Sequence, residues 1–238
     1  MRYAKKFAQL FLKVLFVWPF RFIRWCFQKI MDKRYDVDFS DYSDEYYDEE
    51  LYMENVLDRA IVFATEAHEG QFRKGTQIPY ILHPMEAAAI VGSMTTDNEI
   101  IAAAVLHDVI EDTDATIGEI EELFGERVAN LVAWESENKR EDIPAEYTWK
   151  LRKQETLNHL VSAPLEIKII TLGDKLSNIR AINRDYKAFG DALWQRFNQK
   201  DKAEHGWYYA EIARLLAELA PHEAYKEYIS LTEETFAD

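Results

Sequence analysis

A run of small apolar residues, Ile100-Ile101-Ala102-Ala103-Ala104-Val105-Leu106, leads without a break into His107, Asp108, Glu111 and Asp112. Such a run reads as a buried helix, so these ionisable groups stand at the end of a core element. Carboxylates placed there are costly unless something pairs them. His107 and Glu111 are four apart, as are Asp108 and Asp112, so on a continuing helix all four project from adjacent stripes of one face. A divalent cation satisfies that cluster. The chain must then bring further ligands to it from other helices.

Candidates stand on both sides. Upstream, His68 precedes Glu69-Gly70-Gln71-Phe72-Arg73-Lys74, and His83 opens a helix in Tyr80-Ile81-Leu82-His83-Pro84. Downstream, Asp174 follows the apolar Ile167-Lys168-Ile169-Ile170-Thr171-Leu172-Gly173 and wants a counter-charge. Taken singly, each His is more often a packed residue than a ligand. Together, imidazoles and carboxylates make a mixed N/O donor set that suits Mn²⁺, Fe²⁺ or Zn²⁺ better than Ca²⁺. Such a cation lowers the pKa of water, and Glu111 and Asp112 could orient that water or move its proton. Arg73 and Lys74 could hold phosphate oxygens and neutralise charge that develops on them. The combination describes phosphoester hydrolysis. Asn178, four residues after Asp174, falls on the same helical face. His68 reads as a residue behind the ligands or at the substrate edge. Arg152, Lys153, Arg180 and Arg184 are basic candidates for the substrate mouth, although most such side chains are simply solvated.

The order of Arg73-Lys74, Pro79-Tyr80, His83-Pro84, LHDVIEDT and LGDKLSNIR resembles the HD-domain hydrolases, and among them the RelA/SpoT-type alarmone hydrolases with their small stand-alone relatives. The likeness runs from about Leu51 to Arg180 and continues more weakly through Trp194–Asn198 and Trp207–Tyr209. It implies an all-α HD-domain helical bundle in which His83, His107, Asp108 and Asp174 hold the metal, and it favours Mn²⁺. It implies Glu111 and Asp112 as catalytic acids, and Arg73, Lys74 and Asn178 as substrate-binding residues. The implied reaction removes pyrophosphate from the 3′ position of guanosine tetra- or pentaphosphate, giving GDP or GTP, as in alarmone degradation in the stringent response. Two other readings stay open: an HD phosphohydrolase of another nucleotide, and an antitoxin-like partner of an alarmone synthetase. Where the family usually has Leu-Ala-Asp, this chain has Leu172-Gly173-Asp174, which should cost about 1 kcal/mol of helix propensity. The loop Lys74–Pro79 also departs from the usual wording, which leaves the base preference open.

The net charge of −15 argues against general attraction to nucleic acid. With Cys26 the only cysteine, no intrachain disulfide can form, which fits a reducing cytosol. The charge is uneven. Residues 1–34 hold nine basic residues and one acid, whereas residues 35–50 hold eight acids and no base. The sequence therefore divides into a basic amphipathic helical extension over 1–34, an acidic linker over 35–50 and the hydrolase domain over 51–238. In the extension Arg2, Lys5, Lys6, Gln9 and Lys13 share a narrow stripe, and Phe7, Leu10, Phe11, Val14, Leu15 and Trp18 cover the rest. Lys13 and Arg21 interrupt any run of the roughly 20 apolar residues needed to span a bilayer. The expectation is a cytoplasmic enzyme, peripheral at the inner membrane face, whose extension meets a membrane surface or a protein partner.

The remainder reads as helix throughout. Expected spans are 51–69, 116–124 with a cap at Thr116-Ile117-Gly118-Glu119, 126–134, 148–161, 165–186, 202–220 and 222–232. Few stretches alternate with period two, and 48% hydrophobic residues suffice for a core. No internal repeat, Gly-rich phosphate loop or Cys/His zinc pattern is present.

Overall fold

Helix starts are written by side chains that satisfy the free N–H groups of the first turn. Asn55 accepts from the Leu57 amide, Asp97 from Glu99 and Asp201 from Ala203, and Thr116 and Glu119 form the expected reciprocal cap. A computed structural model describes residues 55–136, 140 and 142–237. The expected extension, the linker and residues 51–54 lie outside them. Ten α-helices form among the described residues: α1 Val56–Ala67, α2 Leu82–Gly92, α3 Asn98–Leu106, α4 Val109–Asp112, α5 Ile117–Phe124, α6 Glu126–Glu135, α7 Ala145–Val161, α8 Leu165–Phe189, α9 Lys202–Leu215 and α10 Glu223–Phe236. Two 3₁₀ segments, Gly190–Arg196 and Ala217–Leu219, follow α8 and α9. The described residues contain no strand beyond one isolated antiparallel bridge, Phe72 with Pro79.

The all-α expectation holds, and the expected helices form with ends moved by a few residues. The largest difference is that 202–220 divides into α9 and a 3₁₀ turn. Gly125, at φ 91°, closes α5 and opens α6, a conformation that suits glycine.

The 25-residue α8 is the central element, packed most extensively on α2 and α10 and touching α3 and α6. Its Ile170, Leu172, Leu176 and Ile179, with Leu106 of α3, are at most 1% exposed. Burial of each contributes roughly 2 kcal/mol, which lets α8 carry a buried Asp174 in its middle. Gly173 is where α8 meets α2. A Cβ there would lie 2.6 Å from Val91 Cγ2 and 2.8 Å from the Ala87 carbonyl oxygen. The expected propensity cost of this glycine is thus offset by a close helix approach that alanine would obstruct, one residue before Asp174 and one turn after His83.

Candidate active site

α3 does not run on through the His-Asp doublet. The helix stops at Leu106, His107 and Asp108 occupy a turn, and α4 restarts as a single turn over Val109–Asp112. This corrects the expectation of one continuous helical face. The local cause is visible in two contacts: His107 turns its Nδ1 onto the Ala104 carbonyl at 2.8 Å, and the Asp108 carbonyl accepts from the Glu111 and Asp112 amides, starting the new turn. The break aims His107 and Asp108 toward α2 and α8.

There they meet His83, in the first turn of α2, and Asp174 of α8. His83 Nε2 lies 3.5 Å from Asp108 Oδ2 and 3.2 Å from Asp174 Oδ1; His107 Nε2 lies 3.1 Å and 3.7 Å from the same two atoms. All four predicted ligand residues therefore converge. Edges of this length are expected of donors that each sit about 2.1 Å from one shared cation. Both imidazoles and Asp174 are at most 5% exposed.

The remaining contacts also fit a cation. His107 Nδ1 faces a carbonyl, so it carries a proton, and in the neutral ring Nε2 is a bare lone pair. That atom is buried without a hydrogen-bond partner. His83 Nδ1 lies 2.8 Å from Ser177 Oγ, and Ser177 donates its one hydroxyl hydrogen to Glu86 Oε2 at 2.8 Å. Ser177 must accept from His83, which leaves His83 Nε2 bare as well. Two lone pairs facing two carboxylates are mutually repulsive until a positive charge joins them. Without metal, that charge is a proton. Burial is the largest single influence on His107 and opposes its charging, yet Asp108 and Asp174 together carry its pKa well above the ordinary imidazole value. His83 is pushed down, chiefly by burial. Burial drives the Asp174 carboxyl upward, but Lys175, paired with it, and the two imidazoles jointly hold it well below the usual range.

Around this floor opens a cavity of about 780 Å³ lined by Arg73, Lys74, Tyr80, His83, Asp112, Lys175 and Asn178 among others. Arg73 and Lys74 leave the bridge between Phe72 and Pro79, in a loop closed by Arg73 N–H to the Ile78 carbonyl at 2.8 Å. Arg73 donates to Asn178 Oδ1 at 2.7 Å, and Asn178 donates to Asp174 Oδ1 at 2.5 Å. Lys74 donates to Asn198 Oδ1 at 3.2 Å. All three predicted substrate-binding residues thus share one wall. Of the two predicted acids, Asp112 lines the cavity, while Glu111, half-buried on the same turn, does not.

His68 stays out of the ligand cluster. Its Nδ1 meets Gln71 Oε1 at 2.9 Å, and Gln71 donates to the Asp112 carbonyl at 2.7 Å. Lys153 and Arg184 reach the cavity wall, Arg152 faces a separate cavity, and Arg180 is bound to Glu86 and Glu227. Sequence reasoning missed four contributors. Tyr80 donates to Asp108 Oδ2 at 2.6 Å. Ser177 and Glu86 hold His83, and buried Lys175 pairs with Asp174. The spacing Asp174, Ser177 signals a shared face, but nothing in the sequence shows what that face meets.

The chain is similar to several known proteins. A Danio rerio guanosine-3′,5′-bis(diphosphate) 3′-pyrophosphohydrolase is 37% identical over 132 residues, covering 54% of this chain and 70% of that protein. A Brucella melitensis GTP pyrophosphokinase is 35% identical over 129 residues, 54% of this chain, but the chain spans only 17% of that protein's length. The solved structure of a metazoan orthologue of SpoT superposes with a TM-score of 0.61 at 22% identity, over 76% of this chain and 96% of that one, which shows the fold. Hydrolases of the HD family use divalent metals, which agrees with the His/Asp cluster found here. The HD-domain family profile matches residues 60–201, a span that contains both imidazoles, both carboxylates and the cationic wall, and the chain belongs to the HD-domain family.

Proposed function

We propose that the chain is a metal-dependent hydrolase that removes the 3′-pyrophosphate of guanosine tetra- and pentaphosphate. The observation that carries this reading is charge placement. In a chain of net charge −15, the cavity above the four-donor floor is lined by six cationic side chains, Arg73, Lys74, Lys153, Lys175, Arg184 and Arg196, against three carboxylates, Glu86, Asp112 and Asp185. An acidic protein that gathers cations over a buried metal-type cluster is built for a polyanion. The names of the Danio rerio relative and of its Aquifex aeolicus counterpart, 40% identical over 129 residues, point to that nucleotide.

His83, His107, Asp108 and Asp174 would hold the metal; the mixed imidazole and carboxylate set suits Mn²⁺, Fe²⁺ or Zn²⁺, and the resemblance to the alarmone hydrolases favours Mn²⁺ among them. When bound, the cation supplies Lewis acidity and a lowered pKa for water. Arg73 and Lys74 hold phosphate oxygens, and Asn178 fixes Arg73 against the Asp174 side of the floor. Asp112, at the cavity wall, takes the proton of the attacking water; Glu111, beside it, supports that transfer. The water oxygen bonds to the phosphorus next to the 3′ oxygen as the P–O3′ bond breaks, the 3′ oxygen takes up the proton held by Asp112, and pyrophosphate leaves with GDP or GTP as the other product.

In this reading residues 51–238 are the hydrolase domain, 35–50 the linker, and 1–34 an extension that rests on an anionic inner membrane face. The support for the last is the basic and aromatic pattern of the extension. Among the described residues, no helix is long and apolar enough to cross a membrane. The deciding experiment incubates guanosine tetraphosphate with the full chain, with and without Mn²⁺, beside Glu111→Ala/Asp112→Ala. Pyrophosphate and GDP formed only by metal-loaded wild type are expected. Orthophosphate as the product, or no turnover, overturns the reading.

A further inference from the structure

The two imidazoles of the floor are oriented by different means. His107 relies on the Ala104 backbone carbonyl at 2.8 Å, which no side-chain substitution removes. His83 relies on side chains alone. Its Nδ1 reaches Ser177 Oγ at 2.8 Å, Ser177 donates to Glu86 Oε2 at 2.8 Å, and Glu86 Oε1 receives Arg180 Nη1 at 3.0 Å. Arg180 is gripped through Nε and Nη2 by both carboxylate oxygens of Glu227 at 2.7 and 2.6 Å. The row Asp174, Ser177, Arg180 runs along α8 at spacings of three and faces the row His83, Glu86 on α2. Glu227 belongs to α10.

We propose that Ser177 and Glu86 are positioning residues that keep His83 in the tautomer with its proton on Nδ1 and its Nε2 free to bind metal. The inference rests on the metal-site reading above. A serine hydroxyl has one hydrogen. Because Glu86 can only accept, that hydrogen is committed, and Ser177 can offer His83 nothing but a lone pair. The alternative tautomer, protonated on Nε2, leaves two acceptors facing each other at 2.8 Å and turns an N–H toward the metal position. Ser177 is 2% exposed and His83 4%, so water does not readily replace the hydroxyl. Arg180 and Glu227 complete the array by fixing which way the Glu86 carboxylate faces. Partners behind a ligating His typically change metal affinity by about 10–100-fold when removed.

The test is Mn²⁺ binding, read by loss of the free Mn²⁺ electron paramagnetic resonance signal, for the full-length wild type, Ser177→Ala, Ser177→Thr and Glu86→Gln. Affinity should fall by about 10–100-fold in Ser177→Ala and by about 3–10-fold in Glu86→Gln. Ser177→Thr, which keeps the hydroxyl, should recover most of the loss. Nitrogen-15 spectra of the metal-free protein should show His83 protonated on Nδ1 in wild type and mixed in Ser177→Ala. Should Ser177→Ala fail to fold, Glu86→Gln, half-exposed at its side chain, decides the matter. Wild-type binding matched by both variants would overturn the positioning role and leave the proposed function standing. A wild type that binds no Mn²⁺ would overturn the metal reading and this inference with it.

Discussion

At the floor of the cavity each donor has a fixed neighbour. His107 is held by a backbone carbonyl, His83 by Ser177, Asp108 by Tyr80, and Asp174 by Asn178 and Lys175. At the rim, Lys74 reaches one amide oxygen at 3.2 Å, Lys153 lies 5.1 Å from the centroid of the Tyr208 ring, and Arg184, with a side chain 60% exposed, pairs with Asp185. A buried metal set must be placed to within tenths of an ångström by groups whose own positions are locked. A polyphosphate can be gathered by charges that keep some freedom, because attraction falls off slowly and many registers satisfy it. Damage to the floor should therefore appear in metal affinity and stability, and damage to the rim in substrate affinity alone.

The largest effect is expected at the floor. Asp174→Asn removes one charge from the proposed metal set and strands buried Lys175, whose pKa is held well above the ordinary lysine value against burial, mainly by Asp174. Breaking a buried pair from one side typically costs about 3–5 kcal/mol. The variant should lose roughly two to three orders of magnitude in Mn²⁺ affinity, with a lowered unfolding midpoint even without metal. Affinity within tenfold of wild type would show that the floor tolerates a missing anion and is not the locked element described above.

A smaller effect is expected one residue away. Gly173→Ala gains about 1 kcal/mol of helix propensity, yet its methyl group meets the Ala87 carbonyl oxygen at 2.8 Å, and backbone does not step aside cheaply. Forced overpacking costs about 1–3 kcal/mol, so a net loss of up to about 2 kcal/mol is predicted in denaturant unfolding, with weaker metal binding as α2 and α8 part. A more stable variant would mean that the helices relax freely, and the floor would then be less constrained than its contacts imply.

These two residues also show what a sequence discloses. The cluster was legible because residue type, order and apolar context all bear on chemistry: His83, His107, Asp108 and Asp174 are brought together from three parts of the chain. The Thr116 to Glu119 cap was legible because it is local. Gly173 was read as a propensity cost because propensity belongs to one helix, whereas its close approach belongs to two. Ser177, Glu86 and Tyr80 were obscure for the same reason: polar residues on a helix or in a loop are ordinary until the facing element is known. The break after Leu106 escaped because it depends on one imidazole turning back onto Ala104, a competition that helical periodicity does not register.

The smallest effect belongs to the rim. Lys74→Ala should raise KM for the phosphate substrate by about three- to tenfold, since an exposed, salt-screened charge contributes little more, while kcat and Mn²⁺ affinity stay within about twofold. The pKa of Lys74 is lowered, first by partial burial and then by Lys200. A lysine with a lowered pKa keeps its charge below that value and loses it as pH rises through it, at a lower pH than an ordinary lysine. Wild-type KM should therefore climb as pH is raised toward that titration, and the variant's KM should stay flat across the same range. Added salt should weaken wild-type substrate binding more than that of the variant. If Lys74→Ala instead lowered Mn²⁺ affinity, the rim would be coupled to the floor through the Arg73 to Asn178 to Asp174 contacts, and the two regions would have to be treated as one device.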